Sequence, residues 1–153
     1  MDWRYLLDSF DGRIGRKTFW IAMAVVGVAN FLACDAAQQI EGDRLNAIVD
    51  LIFTYPEFAI AAKRGNDRNL PLWLVGIFFA ASLLLDLFAV AGWAGTDEEP
   101  SMLSIVVAVP FTILGLGLLI ELGFRKGTPG PNRHGPDPLA SGSPPPGGWR
   151  SGD

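Results

Sequence analysis

The chain of 153 residues has a single cysteine, Cys34, and a single histidine, His134, a hundred positions apart. One thiol excludes an intramolecular disulfide, and a lone histidine so far from it excludes the usual Cys/His zinc constellations. No metal and no cofactor is therefore expected. Catalytic arrangements are equally scarce. No histidine stands near a Ser or Cys nucleophile, no paired carboxylates sit over a soluble cleft, and Gly115 and Gly117 lie inside an apolar run rather than in a phosphate loop after a strand. The chain is not expected to be an enzyme. Charge is also sparse, at 18% of residues against 50% hydrophobic, and the mean hydropathy is +0.29. That balance is high for a soluble domain of this size. The net charge of −4 would argue against a nucleic-acid partner if the charges were evenly spread; they are not, and no nucleic-acid partner is expected.

What the chain does have is apolar length. A hydrocarbon core of about 30 Å needs about 20 helical residues, and four runs approach or exceed that, at about residues 19–34, 45–62, 72–94 and 102–124. The first two are short and are expected to recruit flanking residues. Trp20, Trp73 and Trp93 sit at run ends, where amphipathic rings favour the membrane interface. Pro56 and Pro110 lie inside the second and fourth runs and predict kinks, which membrane helices tolerate when neighbours satisfy the freed carbonyls.

The bases orient these runs. Arg4, Arg13, Arg16 and Lys17 precede the first run, Arg44 alone occupies the first loop, and Lys63, Arg64 and Arg68 follow the second run. The third loop has none, and Arg125, Lys126, Arg133 and Arg150 follow the fourth run. Alternate segments thus hold 11 of the 12 bases, which by the positive-inside rule predicts both termini in the cytoplasm. Asp35, Glu41, Asp43, Asp97, Glu98 and Glu99 all fall in the two outer loops. Ahead of the first run, Trp3, Leu6, Leu7 and Phe10 repeat at helical spacing and predict a short interfacial helix. The expected fold is an all-α membrane protein with four transmembrane helices in a compact bundle and this short N-terminal helix. Basic residues and an apolar stretch ending in FLAC at Cys34 also resemble a lipoprotein signal in outline. Phe31 and Leu32 match the usual cleavage pattern poorly, and cleavage would discard residues 10–20. The membrane domain is expected to span 1–139, with an ordered cytoplasmic loop at 127–138. Residues 140–153, with almost nothing to bury, are expected to form a disordered tail.

Three polar segments punctuate the runs: FDGRIGRKTFW (10–20), AAKRGNDRNLPLW (61–73) and GTPGPNRHGPDP (127–138). In this order around four spans, the chain resembles a bacterial inner-membrane family known as domain of unknown function 805, up to about Leu139. The resemblance implies architecture and location in the inner membrane, and no mechanism. The second segment departs from the family pattern, carrying Arg64, Gly65, Asn66 and Asp67 where the family usually has Arg-Leu-His-Asp.

All three segments fall on the cytoplasmic side of the expected topology. Gly12 and Gly15 permit positive φ, and Pro129, Pro131, Pro136 and Pro138 preset turn geometry, so the last segment is expected to fold back across the helix ends. Arg13, Arg16, Arg64, Asp67, Asn132, Arg133 and Asp137 then form a candidate site, with Arg64 or Arg13 pairing to Asp67 or Asp137. Two roles are open to it: a rigid plug on the helix ends, or a site for an anionic lipid headgroup or acidic partner. A second candidate lies inside the membrane, where Asn46, Asp50, Thr54 and Glu57 form one polar stripe on the second span, which Asp86 could join. Ionisable groups there cost about 3 kcal/mol or more each, so a proton or ion path is the functional reading, and burial or pairing within the bundle the structural one. Glu121 and Arg125, four apart, predict an ordinary ion pair, and Gly123 and Gly127 predict close packing at a membrane exit. The expected function is a non-enzymatic membrane component acting through its cytoplasmic face. Its expected partners are membrane lipids and a protein partner or a second copy of itself; the alternative is a small proton-coupled transporter.

Overall fold

The computed structural model describes residues 1–95 and 99–140. The expectation of a disordered tail therefore lies, apart from Ala140, outside the described residues. Among these residues the fold is helical throughout: α1 (Trp3–Leu7), α2 (Arg16–Glu41), α3 (Asp43–Asp67), α4 (Leu72–Val90) and α5 (Met102–Leu119), the last closed by a π-helical turn, Ile120–Phe124. Four of them are long and apolar enough to cross a membrane. The two short apolar runs lie within helices of 26 and 25 residues, which recruit polar residues at both ends.

One residue, Gly42, joins α2 to α3. Its φ of 74° ends one helix and starts the next, a left-handed conformation that costs glycine little and other residues more. So short a connection makes the two helices an antiparallel pair. The third run stops at Val90 rather than near residue 94, because Gly92 takes φ 76° there. At the start of α5 the Ser101 side chain accepts from the Ser104 amide at 3.2 Å, a local N-cap.

α3 is the central helix and packs along α2 and α4. α5 touches α4, and only its π-helical end reaches α2 and α3. The stacked rings of Phe78 and Phe111, with centroids 4.5 Å apart, tie α4 to α5. Gly115 lets the ring of Phe78 approach, since a Cβ there would stand 2.9 Å from it.

The buried core is concentrated at one end. Phe19, Ala22 and Val26 of α2 meet Ile60 and Ala61 of α3, Val75 and Phe79 of α4, and Leu122. The same end carries the α2 N-terminus, the α3 C-terminus and the polar segments, and is the basic end of the molecule. Elsewhere the apolar side chains face outward, as in Val28, Phe31, Ile52, Ile77, Val106 and Ile113. That is the pattern of a protein whose outer solvent is lipid. α1 is shorter than its periodicity suggested. Leu6 is buried against the bundle, while Phe10, beyond the helix, packs on Tyr55 and Phe58 of α3.

Candidate functional site

The basic end is built around three charged side chains that water does not reach. Arg13, Arg64 and Asp67 are 4%, 0% and 3% exposed, a depth at which an unpaired charge would be costly. Asp67 answers both guanidiniums. Its Oδ1 accepts from Arg13 Nε at 3.1 Å and Nη2 at 2.9 Å, and its Oδ2 accepts from Arg64 Nη1. Arg13 thus chelates one carboxylate oxygen with two N–H groups and leaves the other to Arg64, charge-assisted bonds that a planar guanidinium is shaped to make. The remaining Arg13 donors go to main-chain carbonyls of the last polar segment. They reach Gly130 at 2.7 Å, Gly135 at 3.2 Å and Thr128 at 2.7 Å, so all five N–H groups of Arg13 are engaged.

Arg64 closes the end of α5. The final carbonyls of a helix lack intrahelical donors, and here Arg64 Nε donates to Leu122 O at 2.7 Å and Nη2 to Arg125 O at 2.6 Å. Trp20 Nε1 donates to Gly123 O at 3.0 Å, and Arg16 Nη1 to Phe124 O at 3.2 Å. Three cationic or polar side chains thus cap the negative pole of the helix. The π-helical turn departs from the regular ladder over these residues, a deviation common at functional positions. Gly123 leaves room for the Trp20 indole: a Cβ there would lie 2.6 Å from Trp20 Cζ2.

The last polar segment lies across the helix ends. Thr128 donates to Asp67 O from its amide at 2.8 Å and from its hydroxyl at 2.9 Å, and Asn132 Nδ2 donates to Asn66 O at 2.9 Å. Gly127 passes so close to the Asp67 carboxylate that a Cβ would collide with it. Asn132 and Gly135 exchange main-chain hydrogen bonds at 3.0 Å each, making a tight turn. Asp137 accepts from the amides of Gly130 at 3.0 Å and Leu139 at 2.9 Å, and these two bonds hold its carboxyl below the usual range.

The first polar segment is held in the same way. Tyr5 Oη accepts from the Arg13 amide at 3.0 Å and donates to its carbonyl at 3.2 Å, and burial pushes the phenol up. Asn66 Nδ2 donates to Phe10 O at 2.8 Å and Gly12 O at 3.1 Å, and Lys63 donates to Leu6 O and Ser9 O.

Of the sequence candidates, Arg13, Arg64, Asp67 and Asn132 meet in one network. Arg16 borders it through Phe124 O, and Asp137 shapes the covering loop. Arg133 stands apart, exposed, donating from Nε to His134 Nε2 at 2.9 Å. Burial, followed by the Arg133 charge, lowers the His134 pKa. Sequence reasoning left out Lys63, Asn66, Thr128, Tyr5 and Trp20 as site members. Lys63 and Asn66 lie within one helical turn of Arg64 and Asp67, which was the available signal. The Glu121–Arg125 pair forms at 2.6 Å, and Arg68 joins it at 2.6 Å from the other side.

The intramembrane stripe lies deeper. Asp50 Oδ1 accepts from Asn30 Nδ2 of α2 at 2.7 Å, Cys34 Sγ lies 3.1 Å from Asn30 Oδ1, and Thr54 Oγ1 donates back to Asp50 O at 3.0 Å. Asp86 of α4 and Glu57 are near enough to interact with the Asp50 charge. Asn46 Oδ1 and Asp86 Oδ2 are buried with no hydrogen-bond partner among the described residues. Asn30 was a missed member, legible as a polar residue inside the first apolar run.

The chain is 28% identical over 137 residues to the uncharacterized protein YiiR of Escherichia coli strain K12, with 86% of each chain covered. It matches the YiiR of Escherichia coli O157:H7 to the same extent. No solved structure matches. The family described as "Protein of unknown function (DUF805)" matches over residues 7–136, from α1 to the covering loop, and the chain belongs to that family.

Proposed function

We propose that this protein is a non-enzymatic component of the bacterial inner membrane, with both termini in the cytoplasm, that works by binding at its cytoplasmic face. The observation that carries this reading is the closure of the basic end. Every residue from Ala59 to Asp67 is buried, and Arg13, Asp67 and Arg64 lock the helix ends to the loop above them. A solute moving from the level of Glu57 to the cytoplasm would have to break this network. The bases left exposed around it are Arg4, Arg16, Lys17, Arg125, Lys126 and Arg133. They form a positive rim of the kind that attracts anionic headgroups at about 1 kcal/mol per residue.

Purified protein reconstituted into vesicles loaded with a pH dye should dissipate an imposed proton gradient no faster than empty vesicles. Reporter fusions after Gly42 should read periplasm, and those after Asn69 and Leu139 cytoplasm. A protein-dependent proton flux removed by Asp50→Asn would overturn the binding reading. It would favour the second one, a proton-coupled component. That alternative is supported by the three carboxylates Asp50, Glu57 and Asp86, which lie on neighbouring helices with no ion-pair partner among the described residues.

A further inference from the structure

Beside the closed network, the basic end has a cleft of about 1290 Å³ between α1, the first turns of α2, the π-helical turn after α5 and the end of the covering loop at Pro138 and Leu139. Its walls are mostly apolar, among them Leu6, Ile14, Trp20, Ile21, Phe124 and Leu139. Its charged lining residues are Arg13, Arg16, Lys17 and Asp2. Arg13 has no N–H to offer a ligand, since all five are engaged. Asp2 caps α1 by accepting from the Tyr5 amide at 3.2 Å. Arg16 uses one N–H on Phe124 O. Lys17 is exposed and has no polar partner among the described residues. Asp2 keeps its negative charge, but three cationic side chains against one carboxylate leave the lining net positive, and the cations with N–H groups free for a ligand are the two consecutive residues Arg16 and Lys17.

The cleft does not end at the headgroup level. Below Lys17 at helical spacing come Ile21, Val25, Val28 and Leu32 of α2, 44%, 48%, 59% and 60% exposed. Phe124 likewise begins an exposed series that runs back through Ile120, Leu116 and Ile113 on α5. α2 and α5 approach one another only at the π-helical turn and have no contact farther along among the described residues. Two bases over an apolar cleft that opens onto two lipid-facing helix surfaces complement one kind of molecule, an amphiphile with an anionic head.

We propose that this cleft holds one phospholipid with an anionic headgroup, its phosphate against Arg16 and Lys17 and an acyl chain running down past Ile21 and Phe124. The inference rests on the cytoplasmic-face reading above and assigns that face a ligand class and a seat. Guanidinium and ammonium together suit a phosphodiester, the first by its planar fork and the second as a mobile point charge. Of the closed network only Arg13 lines the seat, as part of its wall and with no N–H left to donate to the ligand.

The test is lipid retention by the full chain, extracted from bilayer discs of mixed phosphatidylglycerol and phosphatidylcholine and counted by native mass spectrometry. One phosphatidylglycerol per chain should survive, with a preference over phosphatidylcholine of roughly tenfold or more. R16Q/K17Q should abolish the preference, and K126Q/R133Q, which removes the same charge from the rim outside the cleft, should leave it intact. I21W, which fills the apolar mouth while keeping both bases, should lower retention with the melting temperature unchanged. Equal retention of the two lipids, or a preference lost equally in both double variants, would overturn the proposal in favour of diffuse rim attraction. Retention that appears only after removal of residues 141–153 would also overturn it, because the tail would then be the natural occupant of the cleft. Discs expose both faces, so these results do not depend on which side the termini occupy. A failure of the cytoplasmic-face reading would appear instead in the flux and reporter experiments.

Discussion

Two groups of charged residues lie inside this protein, and their chemistry is opposite. At the basic end, two guanidiniums flank one carboxylate, and the other donors close onto main-chain carbonyls of α5 and the covering loop. In the membrane-spanning part, Asp50, Glu57 and Asp86 carry one sign, share a single amide donor from Asn30, and leave an oxygen of Asp86 unpartnered among the described residues. The first arrangement offsets desolvation with charge pairing and hydrogen bonds, so it holds the structure together. The second does not offset it, so the bundle gains little from keeping those groups charged. Substitutions should separate the two regions cleanly.

The largest effect is expected from Asp67→Asn. It leaves two buried guanidiniums facing a neutral amide and should cost about 3–5 kcal/mol, seen as loss of folded protein or a large drop in melting temperature in detergent. Next come Arg13→Lys and Arg64→Lys. Each keeps the charge but replaces a five-donor fork with a three-donor point charge, stranding main-chain carbonyls and costing about 2 kcal/mol or more. Arg133→Lys, at an exposed position, should leave the melt unchanged. If all three exchanges behaved alike, the network would not be the keystone of this end.

A smaller loss is expected from Gly127→Ala. Its new methyl group must displace the Asp67 carboxylate from its pairing geometry, at about 1–3 kcal/mol by thermal melting. In contrast, Asp50→Asn and Glu57→Gln preserve shape and remove charge from the membrane interior, so stability should stay level or rise. Marked destabilisation by both would show that the stripe is as integral to the fold as the basic end.

The smallest effect concerns the covering loop. The Asp137 carboxyl is held below its ordinary value by two amide donors. A group with a depressed folded pKa contributes stability above its unfolded value, about 3.9, and that contribution is lost as pH falls through the folded value. Asp137→Asn should therefore be slightly destabilising at neutral pH; the difference should begin to shrink below about pH 4 and vanish only once the pH lies below the depressed folded value. A difference that persisted there would mean that the side chain acts by shape and not by charge.

Several of these features were legible before any coordinates. Four spans, their alternation and the grouping of the bases follow from apolar run length and charge spacing, properties of the covalent chain that any folded form in a membrane must respect. The stripe of Asn46, Asp50, Thr54 and Glu57 was legible for a similar reason, since helical spacing alone puts those residues on one face. The glycines at 123 and 127 could be read as points of close approach, but not what approached them. One proved to be against an indole and the other against a carboxylate.

By itself, the sequence determined that this is a helical membrane protein with one strongly basic end, because hydrophobic length and charge asymmetry need no partner to be expressed. Only the tertiary structure decided which bases are locked away and which remain available. The contacts of Arg13 with residues 67, 128, 130 and 135, and of Arg64 with residues 122 and 125, join segments more than fifty positions apart. No local spacing encodes such a meeting. It exists because the helix ends converge and because the carbonyls at the end of α5 must find donors once water is excluded.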